Sequence, residues 1–286
     1  MNFIKKIKYR FKNANIVEQL IYINLGVFLA VFLVNTFSFL FGVSGNFMIN
    51  WLALPASFSE FILKPWTIFT YGFLHVGFLH ILLNLIALFY IGNLFLEYFT
   101  AKQLLSFYIL GTLFGGIIFL VSYNYFPAFS KEVDRSILLG ASAGISAIFV
   151  GIATYMPNYQ LKIRFIGFVK LWYLAAIWVI LDVIQIPISN PGGHLAHLGG
   201  ALFGFLYVNQ ASNKKIDFWS KISSVFSSKT KPLKTVYKSD KKTTKNTKSH
   251  SPNQQEIDTI LDKIGKSGYD TLTKAEKDFL FKQGKK

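Results

Sequence analysis

The chain has 286 residues, of which 52% are hydrophobic and 15% charged, and its mean hydropathy is +0.40. Several apolar runs reach or approach the roughly 18–20 residues that cross a bilayer, which excludes a soluble domain and predicts an all-α, polytopic membrane protein. The absence of cysteine excludes disulfides, a cysteine nucleophile and a cysteine-bound zinc ion. The net charge of +16 suits a basic cytoplasmic flank of a membrane domain, which needs fewer assumptions than nucleic-acid binding.

A basic arm over residues 1–14 precedes a predicted membrane domain over residues 15–212. Because about 25 apolar residues follow the arm without an evident cleavage site, the first hydrophobic segment is predicted to be a retained span. Residues 42–71 contain tryptophans and prolines that are typical of a loop lying in the membrane interface. Six spans are predicted, at residues 17–41, 74–95, 104–123, 140–156, 169–186 and 194–208, with a Pro-Gly-Gly turn before the last.

Basic residues are unevenly distributed between the loops on the two sides of the membrane. The N-terminal arm has five basic residues and no acidic residue before Glu18, and the loop between spans 4 and 5 has Lys162, Arg164 and Lys170 without an acid. The alternate loops are balanced or uncharged. The positive-inside rule therefore predicts two cytoplasmic termini in a cell (inner or plasma) membrane, so that spans 2, 4 and 6 enter from the outer face.

Polar side chains are predicted at similar depth, within the first turns of spans 2, 4 and 6 from the outside. Four of the chain's five histidines belong to this set, which comprises His75, His80, Asn84, Ser142, His194 and His197. Polar groups inside a bilayer are costly and mark functional sites or buried hydrogen-bond networks. A serine among small residues, as at 140–144, often only lets two helices pack closely, and a lone histidine is often structural; the clustering favours catalysis.

The chemistry that suits this cluster is acyl transfer. Ser142 needs a neutral histidine within hydrogen-bond reach to become a nucleophile, and a histidine of span 6 can supply that base. The backbone N–H of Ser142, near the start of a helix, lacks an intrahelical acceptor and can bind an oxyanion. His80 and Asn84 are four residues apart on one helical face and can complete the oxyanion hole, whereas His75 points elsewhere and is predicted to brace the adjacent loop.

Small residues explain how a serine and a histidine on separate spans can come within about 3 Å of each other. Gly140 and Gly144 in span 4, and Gly200 and Gly204 in span 6, have the spacing that lets two transmembrane helices pack backbone to backbone. His197 lies three residues before the second pair and shares its face. Close packing and catalysis are therefore compatible interpretations of the same residues.

The order and spacing of these motifs resemble the rhomboid family of intramembrane serine proteases. The resemblance covers residues 15–210, and Glu97 and the two glycines of Gly111-xxx-Gly115 also fit it. The matching pieces are His75-x4-His80-x3-Asn84 in span 2, Gly140-x-Ser142 at the start of span 4, and Ala196-His197-x-Gly199-Gly200 in span 6. A six-helix membrane bundle is the fold that this resemblance implies.

The resemblance also implies a Ser–His dyad without an acid, with Ser142 as the nucleophile and His197 as the general base. His80 and Asn84 then support the oxyanion, and no cofactor is expected. The substrates implied are transmembrane proteins that are cleaved near the outer ends of their spans. The loop between spans 1 and 2 is expected to be embedded in the membrane, and span 5 is expected to be a lateral gate.

The chain departs from the family pattern at two positions. Ala143 follows the nucleophile, where glycine is common, and Ser146 stands one turn below, where an aromatic that stacks on the histidine is frequent. The main alternative from another class is a catalytically silent binder of transmembrane clients, which would need neither Ser142 nor His197. A transporter is expected to have inverted repeats and interrupted helices that meet at the midplane, whereas the polar cluster here lies near one face.

No acidic residue is predicted to join the dyad. Asp182 is expected several turns from the outer level or facing the gate, away from His197. Glu97 is expected roughly 25 Å down the helix from His80, at 1.5 Å per residue. His194-x-x-His197 and the histidines of span 2 could in principle bind zinc, but without an HExxH motif or a nearby carboxylate no metal site is predicted.

The C-terminal region changes composition. Residues 213–251 are rich in Lys, Ser and Thr and are predicted to be a flexible basic linker, drawn to anionic lipid, with a short amphipathic segment at 218–226. Residues 252–286 are predicted to form a small helical hairpin whose second helix begins with the capping box Thr273-x-x-Glu276. This hairpin resembles a two-helix appendix found after many bacterial rhomboid domains, and its residues name no partner.

Overall fold

The computed structural model describes residues 3–43, 46–211 and 252–283, and the chain divides into two compact units, Met1–Trp219 and Ser220–Lys286. The predicted linker and its amphipathic segment lie outside the described residues. The described helices of the first unit are Phe3–Asn13 (α1), Ile16–Leu40 (α2), Phe47–Leu52 (α3), Phe58–Leu63 (α4), Thr67–Thr70 (α5), Phe78–Leu96 (α6), Ala101–Tyr125 (α7), Ser142–Tyr155 (α8), Leu171–Gln185 (α9) and Pro191–Ala211 (α10). Its described strands are Leu54–Pro55 (β1), Ile137–Leu138 (β2), Gln160–Ile163 (β3) and Gly167–Lys170 (β4).

Three of the described helices are long and apolar enough to cross a membrane. They are α2, α6 and α7, with 25, 19 and 25 residues. The apolar helices α8 and α9 are shorter, with 14 and 15 residues, and α10 has 21 residues. The prediction of a helical membrane bundle is therefore confirmed, whereas the count of six spans stays a prediction.

All six helices that correspond to predicted spans begin a few residues away from the predicted positions, and the starts of α6 and α10 bear on the polar cluster. α6 begins only after Gly77, whose φ of +87° belongs to the preceding turn, so that His75 precedes the helix. α10 begins at Pro191, so Pro-Gly-Gly forms its first turn rather than a separate loop. Proline suits this position because the first N–H groups of a helix have no intrahelical acceptor. The side chain of Asn190 accepts the N–H of Gly193 at 3.3 Å and caps the same end.

The segment between α2 and α6 is folded and contains α3, α4, α5 and β1. The indole of Trp51 stacks on that of Trp66, with ring centroids 5.8 Å apart. Strand β1 pairs antiparallel with β2, with Leu54 opposite Leu138. Because β2 ends shortly before α8, this small sheet ties the segment to the backbone that leads into Ser142. Its location in the membrane interface stays a prediction.

Helix α8 lies at the centre of the first unit, and its residues 143–153 are all buried. A Cβ atom at Gly200 of α10 would overlap the carbonyl oxygen of Ala143, and one at Gly204 would overlap that of Ala147. The two glycines therefore let α10 pack directly on the backbone of α8. The predicted close approach of these two helices is confirmed.

The partners of Gly200 and Gly204 differ from the prediction, which paired them with Gly140 and Gly144. Gly144 faces α7, where an added Cβ would lie 2.7 Å from the carbonyl oxygen of Tyr108. Gly140 precedes α8 and faces the polar cluster. Successive helical residues point in directions about 100° apart, so Gly140 and Gly144 point elsewhere while the neighbouring positions 143 and 147 face α10.

The second unit has two described helices, Pro252–Ser267 (α11) and Lys274–Gln283 (α12), joined through a short 3-10 turn. The predicted capping box is confirmed: Glu276 accepts the N–H of Thr273 at 2.7 Å, and the Thr273 hydroxyl accepts the N–H of Glu276 at 3.4 Å. Lys263 of α11 donates to Glu276 at 2.9 Å and links the two helices. The Lys263 ammonium lowers the pKa of the Glu276 carboxyl from 4.5 to about 2, with help from Thr273.

Candidate active site

The backbone that leads into α8 is held by the segment that precedes α6. The N–H of Gly140 donates to the carbonyl oxygen of Tyr71 at 2.9 Å, and the tyrosine hydroxyl is anchored on α7. The N–H of Ala141 donates to Nε2 of His75 at 3.4 Å. Two consecutive N–H groups are thus occupied, and the next one along the chain is that of Ser142, the first residue of α8.

His75 supports this approach from a buried position, with 1% of its surface exposed. Its Nε2 accepts the N–H of Ala141, so that nitrogen carries no proton. The ring is therefore neutral at physiological pH, and a neutral imidazole has one nitrogen that accepts a hydrogen bond. His75 braces the chain that enters α8, rather than belonging to the first turn of α6.

Ser142 and His197 meet where α8 and α10 are in backbone contact. Nε2 of His197 lies 2.7 Å from Oγ of Ser142, which is a hydrogen-bond distance. Both side chains are partly buried. The glycine contact at Gly200, one turn below His197, controls how closely the two helices approach and therefore sets this distance.

An acid extends this pair, contrary to the prediction from sequence. Oδ1 of Asp182 lies 2.8 Å from Nδ1 of His197 and 2.7 Å from Nδ1 of His194. The prediction that Asp182 lies away from His197 was wrong. Asp182 is one turn from the end of α9, and the short connection to α10 brings that turn beside the first turns of α10.

His80 of α6 lies near Ser142, next to Gly140. A Cβ atom at Gly140 would lie 3.1 Å from Nε2 of His80 and 3.5 Å from Oγ of Ser142, so a larger residue here would press on the His80 ring. The φ of +129° at Gly140 also favours glycine. Asn84, one turn further along α6, donates through Nδ2 to the backbone carbonyl of His80 at 2.9 Å and retains a second amide hydrogen.

Trp178 of α9 is a site neighbour that the sequence reasoning missed. Its indole N–H donates to Oγ of Ser146 at 3.2 Å, and its ring centroid lies 6.2 Å from that of His197. An aromatic ring thus stands beside the histidine although position 146 is a serine. The spacing contained a signal, because Trp178 and Asp182 are four residues apart on one face of the span.

Asp182, His194 and His197 are also the candidate metal ligands among the described residues, with ligand atoms within 4.8 Å of one another. The oxygen–nitrogen separations of 2.7 and 2.8 Å are hydrogen-bond distances. They are shorter than the roughly 3.3 Å between two ligands around a tetrahedral zinc ion with bonds of about 2.0 Å. The geometry therefore fits protons between these groups better than a metal, and the absence of a metal cofactor stays a prediction.

Comparisons with known proteins agree with the motifs. Residues 63–213, more than half of the chain, match the model of the Rhomboid domain, and residues 240–285 match a family of unknown function, DUF6576. The chain is 29% identical over 144 residues to the RHOMBOID-like protein 12, mitochondrial, of Arabidopsis thaliana. It is 25% identical over 169 residues to the rhomboid protease GlpG of Yersinia pseudotuberculosis.

These alignments take in 47% and 56% of this chain, and 43% and 52% of the two relatives. The chain thus spans about half the length of the curated relatives it matches. The family-model match, by contrast, includes α6 to α10 and every residue of the polar cluster. The chain therefore belongs to the rhomboid family of intramembrane proteases and is a multi-pass membrane protein.

Proposed function

We propose that this protein is a serine endopeptidase that cleaves transmembrane segments of membrane proteins, with Ser142 as the nucleophile and His197 as the general base. The observation that carries the proposal is the 2.7 Å contact between Oγ of Ser142 and Nε2 of His197. A serine hydroxyl is a weak nucleophile until a base in hydrogen-bond contact removes its proton. The family match supports the reaction class.

Acylation begins when Oγ of Ser142 attacks the carbonyl carbon of the scissile peptide bond and its proton passes to Nε2 of His197. The tetrahedral intermediate collapses as the C–N bond breaks, and His197 returns the proton to the departing amine. Water then attacks the acyl-enzyme, gives its proton to His197, and releases the second product as Ser142 is reprotonated. The free enzyme is regenerated, with one water consumed for each bond cleaved.

The oxyanion of the intermediate needs donors aimed at the place where negative charge develops. The backbone N–H of Ser142 is suitable because it is the first of α8 and has no intrahelical acceptor. His80 supplies a ring nitrogen on the same side of Gly140. Asn84 supplies its second amide hydrogen, while its first holds the His80 backbone. These three groups are the oxyanion donors that we propose.

The substrate class follows from where the groups lie. Ser142, His80 and His197 stand near the starts of three helices, α8, α6 and α10, at one end of the bundle. The charge distribution between the loops suggests that this end faces outward, with both termini cytoplasmic in a cell membrane. A transmembrane protein would then be cleaved near the outer end of its span. The lysine-rich linker is expected to lie against anionic lipid on the opposite side.

The test uses the purified full chain in liposomes with a fluorogenic transmembrane substrate, alongside Ser142→Ala. We expect cleavage by the wild type, located by mass spectrometry near one end of the substrate's span, and no cleavage by Ser142→Ala. A zinc chelator is expected to leave the rate unchanged. Cleavage that persists in Ser142→Ala, or that the chelator abolishes, would contradict the proposal. A substrate that co-purifies uncleaved with the wild type would indicate the silent binder instead.

A further inference from the structure

We propose that Asp182 is a positioning residue for this reaction, holding His197 with Nδ1 protonated and Nε2 free to take the proton of Ser142. The inference rests on the proposed function and extends the expected Ser–His dyad to a Ser–His–Asp triad. The acid comes from α9, a different helix from those that carry the nucleophile and the base. Asp182 contacts His197 on the side opposite to Ser142.

The hydrogen-bond partners of His197 determine which of its two ring nitrogens carries the proton. A carboxylate oxygen only accepts hydrogen bonds, so Oδ1 of Asp182, at 2.8 Å, requires a proton on Nδ1 of His197. A neutral imidazole carries one proton, which leaves Nε2 as an acceptor. That nitrogen is the one that lies 2.7 Å from the Ser142 hydroxyl. In the opposite tautomer Nε2 would carry the proton and donate it to Oγ of Ser142, so it could not accept the proton of the serine hydroxyl.

Asp182 is itself restrained. The residue is 6% exposed, and the same Oδ1 lies 2.7 Å from Nδ1 of His194. His194 and His197 are three residues apart on α10, so both rings can reach one oxygen of a single carboxylate. His194 therefore holds the Asp182 carboxylate in place, and the same carboxylate orients His197. This arrangement gives His194, a residue without a role in the Ser–His dyad, a physical function.

The carboxylate acts when the histidine becomes charged. As Ser142 attacks, its proton moves to Nε2 and His197 becomes an imidazolium; the Nδ1 proton stays on the ring. A negative charge 2.8 Å away favours that cation, most strongly in surroundings from which water is largely excluded. Asp182 thus lowers the energy of the acylation step without exchanging a proton or contacting the substrate.

The experiment compares the wild type with Asp182→Asn and Asp182→Glu, using Asp134→Asn, an exposed loop acid, as the matched control. The rate of fluorophosphonate labelling of Ser142 measures activation of the nucleophile without any substrate contacts. In Asp182→Asn we expect labelling and kcat to fall by about 10²- to 10⁴-fold, with KM and the unfolding temperature nearly unchanged. Asp182→Glu, which keeps the charge, is expected to exceed Asp182→Asn in both rates.

A purely structural role predicts the reverse order, because asparagine keeps the shape of aspartate whereas glutamate adds a methylene to a buried place. Wild-type rates in Asp182→Asn, or Glu below Asn in both assays, would overturn the inference. The ranking holds even if both variants lose some stability, since it compares rates per folded molecule. Labelling that survives Ser142→Ala would overturn the proposed function and this inference together, whereas labelling that requires Ser142 but ignores Asp182→Asn overturns this inference alone.

Discussion

The α8–α10 interface and α9 serve the same site but are packed very differently. In α8, eleven of 14 residues are buried, whereas in α9 only three of 15 are, namely Leu171, Ala175 and Asp182. The nucleophile and the base are therefore positioned by a backbone contact that has no room for an added atom. The acid and Trp178 come from a helix whose outward apolar side chains are free to meet lipid, and side-chain hydrogen bonds hold them in place.

The largest effect on activity is expected from Gly200→Ala, which disrupts the tightly packed α8–α10 interface. Its methyl group would overlap the carbonyl oxygen of Ala143, so α10 must move away from α8. We expect the cleavage rate to fall by about 10²-fold or more, because His197 moves with α10, and stability to fall by about 3 kcal/mol. The control is Gly26→Ala on α2, where an added Cβ meets nothing within 4 Å. Equal behaviour of the two variants would contradict this description of the interface.

Substituting one isoleucine in α8 and one in α9 compares the tight packing of α8 with the looser packing of α9. Ile148 of α8 is fully buried, and Ile180 of α9 is 55% exposed. Ile148→Ala is expected to destabilise the fold by about 2–5 kcal/mol, since it leaves a cavity among tightly packed helices. Ile180→Ala is expected to change stability by less than about 0.5 kcal/mol. Unfolding in mixed micelles measures both, and similar losses in the two variants would show that α9 is packed as firmly as α8.

A smaller effect is expected from the hydrogen bond that Trp178 of α9 donates to Ser146 of α8. Trp178→Phe removes the donor to Ser146, and Ser146→Ala removes the acceptor. Each should lower stability by about 1 kcal/mol and activity by less than about tenfold. In the double variant the loss should equal that of one single variant, because both remove the same bond. Strictly additive losses would mean that the two side chains act independently.

The smallest effect concerns the separate hairpin of α11 and α12. The pKa of Glu276 is lowered from 4.5 to about 2, chiefly by Lys263, so the stability that this carboxylate contributes is present above pH 4.5 and lost as the pH falls toward 2. The protection of the Thr273 amide in the full chain, meaning its hydrogen-exchange rate relative to that of an unstructured peptide at the same pH, should decrease over that interval. Glu276→Gln should remove this pH dependence, and a variant that keeps it would show that another group is responsible.

The sequence was sufficient for the helical bundle and for bringing Ser142 and His197 together, because GxxxG spacing in span 6 and polar residues at one depth constrain how helices meet. The sequence was insufficient to predict the contact between Asp182 and His197. The distance of Asp182 from the end of the span was overestimated, although a short connection between α9 and α10 already places it near His194. The register between Trp178 and Ser146 depends on how α9 rotates against α8, and hydrophobic periodicity does not specify that rotation.

The central claim is that Ser142 and His197 act as one chemical unit. The most direct test measures initial cleavage rates in liposomes for the wild type, Ser142→Ala, His197→Ala and the double variant. We predict that each single substitution lowers kcat by at least about 10⁴-fold and that the double variant is no slower than either single one. Losses that multiply in the double variant, or substantial cleavage by Ser142→Ala, would contradict the account.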